Sequence, residues 1–203
     1  MEFVKTDNKS LTDKCELRRF LIEETKMEPL RVLDLFAGEG HIWNELRRVH
    51  RDPDAPKPLQ VTRYTPVDAS ERQKGQIRAK ITPSLIAALD ENEGLRRYNV
   101  IDIDTYGEPW EIWAAVLSRI KQPTLVFLTR GKVTYGGGKV SNFAKQVMGI
   151  PLEWQIPVKL DVFNYADECA LKQECATARI TKGYIVALAR VDYYGLLVEP
   201  ISI

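Results

Sequence analysis

Short apolar runs of strand-forming residues alternate along this chain with segments of helical spacing, and this alternation restricts the fold more than any other feature. The run at residues 124–129 (TLVFLT) is continuously apolar, as expected for a strand buried on both faces. Strands that alternate with helices form a mostly parallel sheet with helices on both faces. We therefore predict an α/β fold with a doubly wound, mostly parallel sheet and a C-terminal antiparallel hairpin.

The periodicity also locates the individual elements. Strands are predicted at residues 30–36, 61–67, 80–82, 99–104, 124–129, 184–190 and 194–201. Helices are predicted from His41 and at residues 11–27, 70–80, 83–90, 110–120, 140–148 and 164–177. The last two strands form the hairpin, which we expect to add one antiparallel strand at an edge of the sheet.

The chain length indicates one domain with a short appendage, since domains commonly have about 100–200 residues and this chain has 203. The first helical segment is followed by Glu28-Pro29, which disfavours further helix. We predict an N-terminal helical extension at residues 1–27 and one domain at residues 28–203.

The composition excludes several classes of protein. Charged residues make up 28% of the chain and no tract is of low complexity, unlike a disordered tail. No apolar run approaches the ~18 residues of a membrane span, and the N-terminus lacks the apolar segment of a signal peptide. The three cysteines lack metal-ligand spacing, which predicts no metal site and a reducing, cytoplasmic compartment. The formal charge of +1 gives no global attraction to nucleic acid, so such a contact needs a local patch.

Three predicted strands carry an aspartate at or near their carboxyl end: Asp34, Asp68 and Asp104. Ligands of open α/β sheets bind outside the carboxyl ends of the strands, so these acids are candidates for one site. After Asp34 come Gly38 and Gly40, which permit a positive φ and a close approach of a ligand to the backbone. A dinucleotide-binding turn carries a third glycine and no acid at this point, whereas an acid can bind a ligand ammonium group. An ordinary tight turn between strand and helix is the alternative.

Asp68 ends the second strand in residues 65–70 (TPVDAS). A carboxylate at this position can accept both hydroxyl groups of a ribose. The alternative is a helix N-cap for the segment that begins at Ser70.

The segments VLDLFAGEG and VDAS resemble the first two motifs of class I S-adenosylmethionine-dependent methyltransferases, which have a Rossmann-like fold. The order of elements is similar from about residue 28 to residue 203. The resemblance implies that S-adenosyl-L-methionine is the cofactor, with its methionine portion at Asp34 and the following turn and its ribose at Asp68. The residues it implies in cofactor binding are Asp34, Phe36, Ala37, Gly38, Gly40, Asp68 and Ala69.

The loop after Asp104 resembles a motif of the tRNA guanine exocyclic-amine dimethyltransferases, Asp-Pro-aromatic-Gly-Ser-Pro. Asp104, Tyr106, Gly107 and Pro109 match that motif, whereas two intervening residues depart from it. These departures are Thr105 and Glu108. The resemblance implies that Asp104 and Tyr106 are catalytic and that Pro109 contacts the substrate.

The chemistry of an exocyclic amine accounts for these residue types. Its lone pair is delocalised into the ring. A carboxylate that accepts hydrogen bonds from its N–H groups localises the lone pair and stabilises the positive charge that develops on nitrogen. An aromatic side chain can stack on the base and orient it. A structural alternative is a β-turn in which Asp104 caps a helix and Tyr106 packs in the core.

A basic, glycine-rich loop follows the strand at residues 124–129. Arg130, Lys132 and Tyr135 are candidate substrate-binding residues, because cations contact phosphates and a tyrosine can stack on a base. A solvated loop without ligand is the alternative.

These patterns predict a methyltransferase that acts on an exocyclic amine of a nucleic acid base, with RNA favoured over DNA. The similar tRNA enzymes have a further C-terminal domain, so a partner protein or a second copy of the chain could supply the missing surface. The alternatives are a methyltransferase of a protein or small molecule, and a non-catalytic binding module that retains the fold. A nicotinamide oxidoreductase is disfavoured by Asp34 and the missing third glycine.

Overall fold

The structure of the chain is a computed structural model, which describes residues 10–70, 73–91, 94–105, 109–131, 142, 151–153, 178–188 and 191–201. The helices of these residues are α1 (Leu11–Thr25), α2 (His41–Leu46), α3 (Pro83–Glu91) and α4 (Trp110–Leu117). The strands are β1 (Leu30–Leu35), β2 (Val61–Asp68), β3 (Ile77–Arg78), β4 (Val100–Ile103), β5 (Thr124–Gly131), β6 (Ala178–Ala187) and β7 (Val191–Pro200). The predicted helix at 164–177, and all but residue 142 of that at 140–148, lie outside the described residues.

The described strands form one sheet in the order β3-β2-β1-β4-β5-β7-β6. The strands from β3 to β5 in this order are parallel to their neighbours, whereas β7 is antiparallel to both β5 and β6. The predicted α/β class, with a mostly parallel sheet and a C-terminal antiparallel hairpin, is confirmed.

The predicted position of the antiparallel strand was wrong. The antiparallel strand β7 lies between β5 and β6, and β6 forms the edge of the sheet. Composition accounts for this order, because β7 is the more apolar strand and its residues 192–196 are buried, whereas exposed residues predominate in β6. A strand that is apolar on both faces is stabilised by neighbours on both sides, and the more polar strand can remain at the edge.

The prediction of a helix at residues 70–80 was also wrong for the described part of that segment. Residues 73–75 form a bend and turn, and Gly75 has a positive φ of 78°. The next residues form β3, which pairs in parallel with the end of β2. The segment has no apolar face to hold a helix on the sheet, and its edge position tolerates exposed residues.

Side chains of the central strands alternate between two apolar layers. Leu33, Leu35, Ile101 and Ile103 belong to the layer that contains Ile86 of α3 and Trp113 of α4. The opposite layer contains Leu30, Val32, Val100, Leu125 and Phe127 with Leu21 and Ile22 of α1 and Trp43 and Leu46 of α2. By this alternation, Asp34 and Asp102 face the side of the sheet that α1 and α2 cover.

Helix α1 packs closely on the sheet. Leu17, Arg18, Leu21 and Ile22 are its buried residues. Gly195 of β7 permits this approach, because a Cβ atom there would lie 3.2 Å from Leu21 Cδ2 and 3.3 Å from Leu17 Cδ1. The division between residues 1–27 and 28–203 stays a prediction, but α1 and the sheet share one apolar layer.

Candidate functional site

The turn after β1 has the backbone geometry that its glycines predicted. Phe36, Gly38 and Gly40 have φ values of 65°, 53° and 71°, so three residues of this turn adopt the left-handed region. Helix α2 begins directly after Gly40. The turn is joined to β2, since Ala37 N donates to Val67 O at 3.0 Å.

Asp68 connects the end of β2 to this turn. Its Oδ2 accepts a hydrogen bond from Gly38 N at 3.0 Å, and its Oδ1 accepts from Ser70 N at 2.9 Å. The hydrogen bond from Ser70 N to the Asp68 side chain is typical of an Asx turn. The alternative role of Asp68 as a helix N-cap has no support, because the described residues 73–80 contain no helix. Asp68 is partly exposed and Ala69 is exposed at the carboxyl end of the sheet.

Two glutamine side chains lie against the same turn, and the sequence analysis did not identify them. Gln76 Nε2 donates to Gly38 O at 3.2 Å. A Cβ atom at Gly40 would lie 2.5 Å from Gln73 Oε1, so this glycine makes room for the Gln73 amide. At Gly38, by contrast, a Cβ atom would meet nothing within 4 Å, so open space adjoins the backbone there.

Asp34 lies at the end of β1, but it is only 4% exposed. Tyr64 Oη donates a hydrogen bond of 2.7 Å to Asp34 Oδ2. Burial raises the pKa of the Asp34 carboxyl well above its usual value, and the charge of Asp102 raises it further. Burial and this neighbouring charge therefore make the Asp34 carboxyl easier to protonate than a free carboxyl group.

Asp102 is the residue opposite Asp34 in the β1–β4 register, and it was not predicted as a site residue. It is fully buried and forms a bidentate ion pair with Arg18, whose Nε and Nη2 donate at 2.8 Å and 2.7 Å. Trp43 Nε1 also donates to Asp102 Oδ2, at 2.7 Å. Burial lowers the pKa of Arg18, but the charge and hydrogen bonds of Asp102 outweigh this and raise it.

Asp104, the predicted catalytic acid, follows β4 and contacts two side chains on neighbouring elements. Lys14 Nζ of α1 lies 2.7 Å from both Oδ1 and Oδ2, and both partners are 18% exposed. Thr129 Oγ1 of β5 donates to Asp104 Oδ1. The carboxylate is thus fixed by its neighbours and still partly exposed to solvent.

The other predicted substrate and catalytic residues are less completely described. Tyr106, Lys132 and Tyr135 lie outside the described residues. Pro109 is buried and is the N-cap residue of α4, where its carbonyl oxygen accepts a hydrogen bond from Trp113 N at 2.8 Å.

Arg130 was expected on an exposed loop, and the structure corrects this placement. It belongs to β5 and is 6% exposed. Its Nη1 lies 3.9 Å from Asp192 Oδ2 and its guanidinium lies 5.6 Å from the centre of the Trp110 ring. A buried arginine with these neighbours is held within the protein, so its predicted contact with phosphates has no support from this placement.

The ion pairs between α1 and β4 could have been suspected from one signal in the sequence. Arg18 lies among apolar residues of an amphipathic helix, and Asp102 lies within a buried apolar strand. Charges at such positions need partners, but nothing local identifies which partner each one takes.

Among the described residues, no group of three or more His, Cys, Asp or Glu side chains could hold a metal ion. No helix in the described ranges is long and apolar enough to cross a membrane.

Comparison with known proteins identifies the fold. No protein-family model and no curated protein sequence matches the chain. Trm1 from Pyrococcus horikoshii in complex with S-adenosyl-L-methionine is similar at a TM-score of 0.52 and 11% identity, over 97% of this chain and 57% of that one. Magnesium protoporphyrin IX methyltransferase from Synechocystis PCC 6803 is similar at a TM-score of 0.46 and 11% identity, over 97% of this chain and 89% of that one. At 11% identity the likeness to Trm1 concerns the fold alone, and it confirms the class I methyltransferase fold.

Proposed function

We propose that this chain is an S-adenosylmethionine-dependent methyltransferase whose substrate is an exocyclic amine of a nucleic acid base, with RNA favoured over DNA. One observation carries the proposal. The chain has a class I methyltransferase fold in which β2, β1 and β4 are neighbouring parallel strands. The partly exposed carboxylate of Asp104, the glycine turn after β1 and Asp68 all lie at the carboxyl ends of these strands.

Gly38 and Asp68 fit the cofactor, whereas Asp34 is 4% exposed and already accepts a hydrogen bond from Tyr64, so its expected contact with the methionine portion has no support from its placement. Open space adjoins the backbone at Gly38, and the partly exposed Asp68 carboxylate beside it suits two ribose hydroxyl groups. Binding of the ribose would exchange the internal hydrogen bonds of Asp68 for bonds to the ligand. When bound, S-adenosylmethionine would supply an electrophilic methyl group.

The protein would assist the transfer through charge and orientation. Asp104 would accept a hydrogen bond from an N–H group of the amine, localise the lone pair on nitrogen and stabilise the positive charge that develops there. As the bond from nitrogen to the methyl carbon forms and the bond from sulfur to that carbon breaks, the nitrogen would lose its proton to the Asp104 carboxylate. Tyr106 would stack on the base and hold the amine in line. In a duplex, the base would first have to leave the stack.

A second candidate function, transfer to a small molecule or a protein side chain, is supported by the burial of Arg130. This burial removes one of the cations expected at a phosphate-binding surface. The net charge of +1 also supplies no general attraction to nucleic acid. The cofactor site and the proposed role of Asp104 are the same in both cases.

Radiolabelled methyl transfer tests both candidates. The purified chain is incubated with labelled S-adenosylmethionine and separate RNA, DNA, protein and small-molecule fractions, and label is expected in RNA. Label in another fraction would reassign the substrate, and tight cofactor binding without transfer to any fraction would contradict the proposed activity.

Asp104→Asn tests the residue assignment. It should lower the transfer rate ~100- to 1000-fold, the usual effect of removing one electrostatic group at a reacting centre, and leave cofactor affinity unchanged. Asp90→Asn is the matched control, because Asp90 also pairs with a lysine and is 15% exposed, but its partner is Lys121. Normal transfer by Asp104→Asn would show that Asp104 is not the catalytic acid.

A further inference from the structure

Two cations of α1 contact two acids at the end of β4. Lys14 and Arg18 are one helical turn apart, which places both side chains on the same face of the helix. Arg18 pairs with the buried Asp102, and Lys14 pairs with the partly exposed Asp104. Residues 84 and 90 positions apart in the chain thereby form two adjacent ion pairs.

Lys14 is itself held in place by its surroundings. Its backbone oxygen accepts a hydrogen bond of 2.9 Å from Arg18 Nη1, and the Arg18 guanidinium is fixed by Asp102. Its ammonium group lies 5.3 Å from the centre of the Tyr193 ring, within the range of a cation–π contact. The ammonium therefore approaches Asp104 from a constrained position.

The hydrogen bonds to Asp104 differ between its two oxygens. A carboxylate has about four acceptor sites, two on each oxygen. Within the described part of the chain, Oδ1 accepts from Lys14 and from Thr129, whereas Oδ2 accepts from Lys14 alone. The remaining acceptor capacity therefore lies on Oδ2.

We infer that Lys14 is a positioning residue for methyl transfer: it fixes the Asp104 carboxylate so that Oδ2 is the acceptor for the substrate amine. This inference rests on the proposed function and adds to it a role for α1. Thr129 fixes the other oxygen, so the orientation of the carboxylate depends on both neighbouring elements. A misdirected acceptor can lower a reaction rate ~100-fold even when binding is intact.

Two other roles of Lys14, competition with the substrate amine and stabilisation of the fold alone, would give different kinetic results. If Lys14 competed with the amine for Asp104, removing its charge would free the carboxylate and raise the rate. If Lys14 only stabilised the fold, its removal would lower the denaturation midpoint without a specific effect on kcat.

The experiment compares Lys14→Met, Lys14→Arg and Lys121→Met with the wild-type chain on whichever fraction accepts methyl groups. The measured quantities are kcat, KM for the substrate, the Kd for S-adenosylmethionine and the urea midpoint. Lys14→Met should lower kcat ~10- to 100-fold, with KM and Kd changed less than twofold. Lys14→Arg keeps a cation with several donors and should recover most of the loss. Lys121→Met removes the lysine of the Asp90 pair and should leave kcat unchanged.

Thr129→Val provides a second test that does not depend on the folding of Lys14→Met. It removes the other hydrogen bond to Oδ1 and should also lower kcat with Kd unchanged. An unchanged or increased kcat in Lys14→Met, or in Thr129→Val if the lysine variant does not fold, would overturn the inference. If Asp104→Asn is inactive while Lys14→Met is fully active, the proposed function stands and the role of Lys14 does not. A wild-type chain that transfers no methyl group would contradict both.

Discussion

Replacement of Arg18 by methionine should lower the free energy of unfolding by about 3–5 kcal/mol at neutral pH. The pair it removes is almost completely buried, with the side chains of Arg18 and Asp102 at 1% and 0% exposure. Two charge-assisted hydrogen bonds to Asp102 are lost, and each contributes roughly 1.5–3 kcal/mol. Their sum agrees with the usual cost of leaving one buried charge unpaired. This loss is a large fraction of the ~5–15 kcal/mol that stabilises a typical domain.

A double-mutant cycle separates this charge effect from lost packing. Asp102→Asn removes the negative charge but keeps an acceptor oxygen for the Trp43 indole N–H. Arg18→Met should therefore cost about 2 kcal/mol less in the Asp102→Asn background than in the wild type, a coupling within the range seen for contacting residues.

Urea denaturation at pH 7, followed by tryptophan fluorescence and far-ultraviolet circular dichroism, measures these free energies. Lys121→Met serves as the control, because its ion pair is at the surface and should contribute less than ~1 kcal/mol. A cost below ~1 kcal/mol for Arg18→Met, or the same cost with and without Asp102→Asn, would refute the reasoning from the buried charge.

Two further predictions concern the first strand and its turn. Burial and the charge of Asp102 raise the pKa of Asp34, so the folded chain keeps a proton that the unfolded chain loses above about pH 4. The free energy of unfolding should therefore fall by about 1.4 kcal/mol per pH unit above that pH until the folded pKa is reached, and Asp34→Asn should abolish this contribution. Gly40→Ala should cost about 1–2 kcal/mol in urea denaturation, because its φ is 71°. The Cβ would also displace Gln73, so Gln73→Ala should recover only part of that cost.

Each of these predictions has a contrary outcome. If the pH dependence of stability is the same in Asp34→Asn and the wild type, Asp34 does not hold a proton in the folded chain. If Gln73→Ala restores the full stability of Gly40→Ala, steric contact and not backbone conformation sets the cost.

The elements that carry local signals were predictable from the sequence. The strands β1, β4 and β5 follow from apolar runs of strand-forming residues, and the turn after β1 follows from Gly38 and Gly40. The segment at residues 73–80 was not, because an edge strand of two residues has no periodicity to detect. The order of the last two strands depends on their relative burial, which only the assembled sheet determines.

The residues of the candidate site also include some that local sequence signals could indicate and others that they could not. Asp68 and Asp104 could be named as candidates because each lies at the carboxyl end of a strand, within a recognisable motif. The partners Lys14 and Arg18 were not, because long-range ion pairs leave no spacing pattern in the sequence. Arg130 was misplaced since a glycine-rich basic segment follows it, whereas the strand extends to Gly131.

The position of α1 against the sheet has a consequence for how the chain can be shortened. A chain that began at residue 28 would have lost the counter-ions of Asp102 and Asp104 together with the leucines that cover Gly195. The Asp102 carboxylate, which is now buried, would be exposed to solvent, and both it and the partly exposed Asp104 would lack their cations. Removal of this helix would therefore destabilise the end of β4 that carries Asp102 and precedes Asp104.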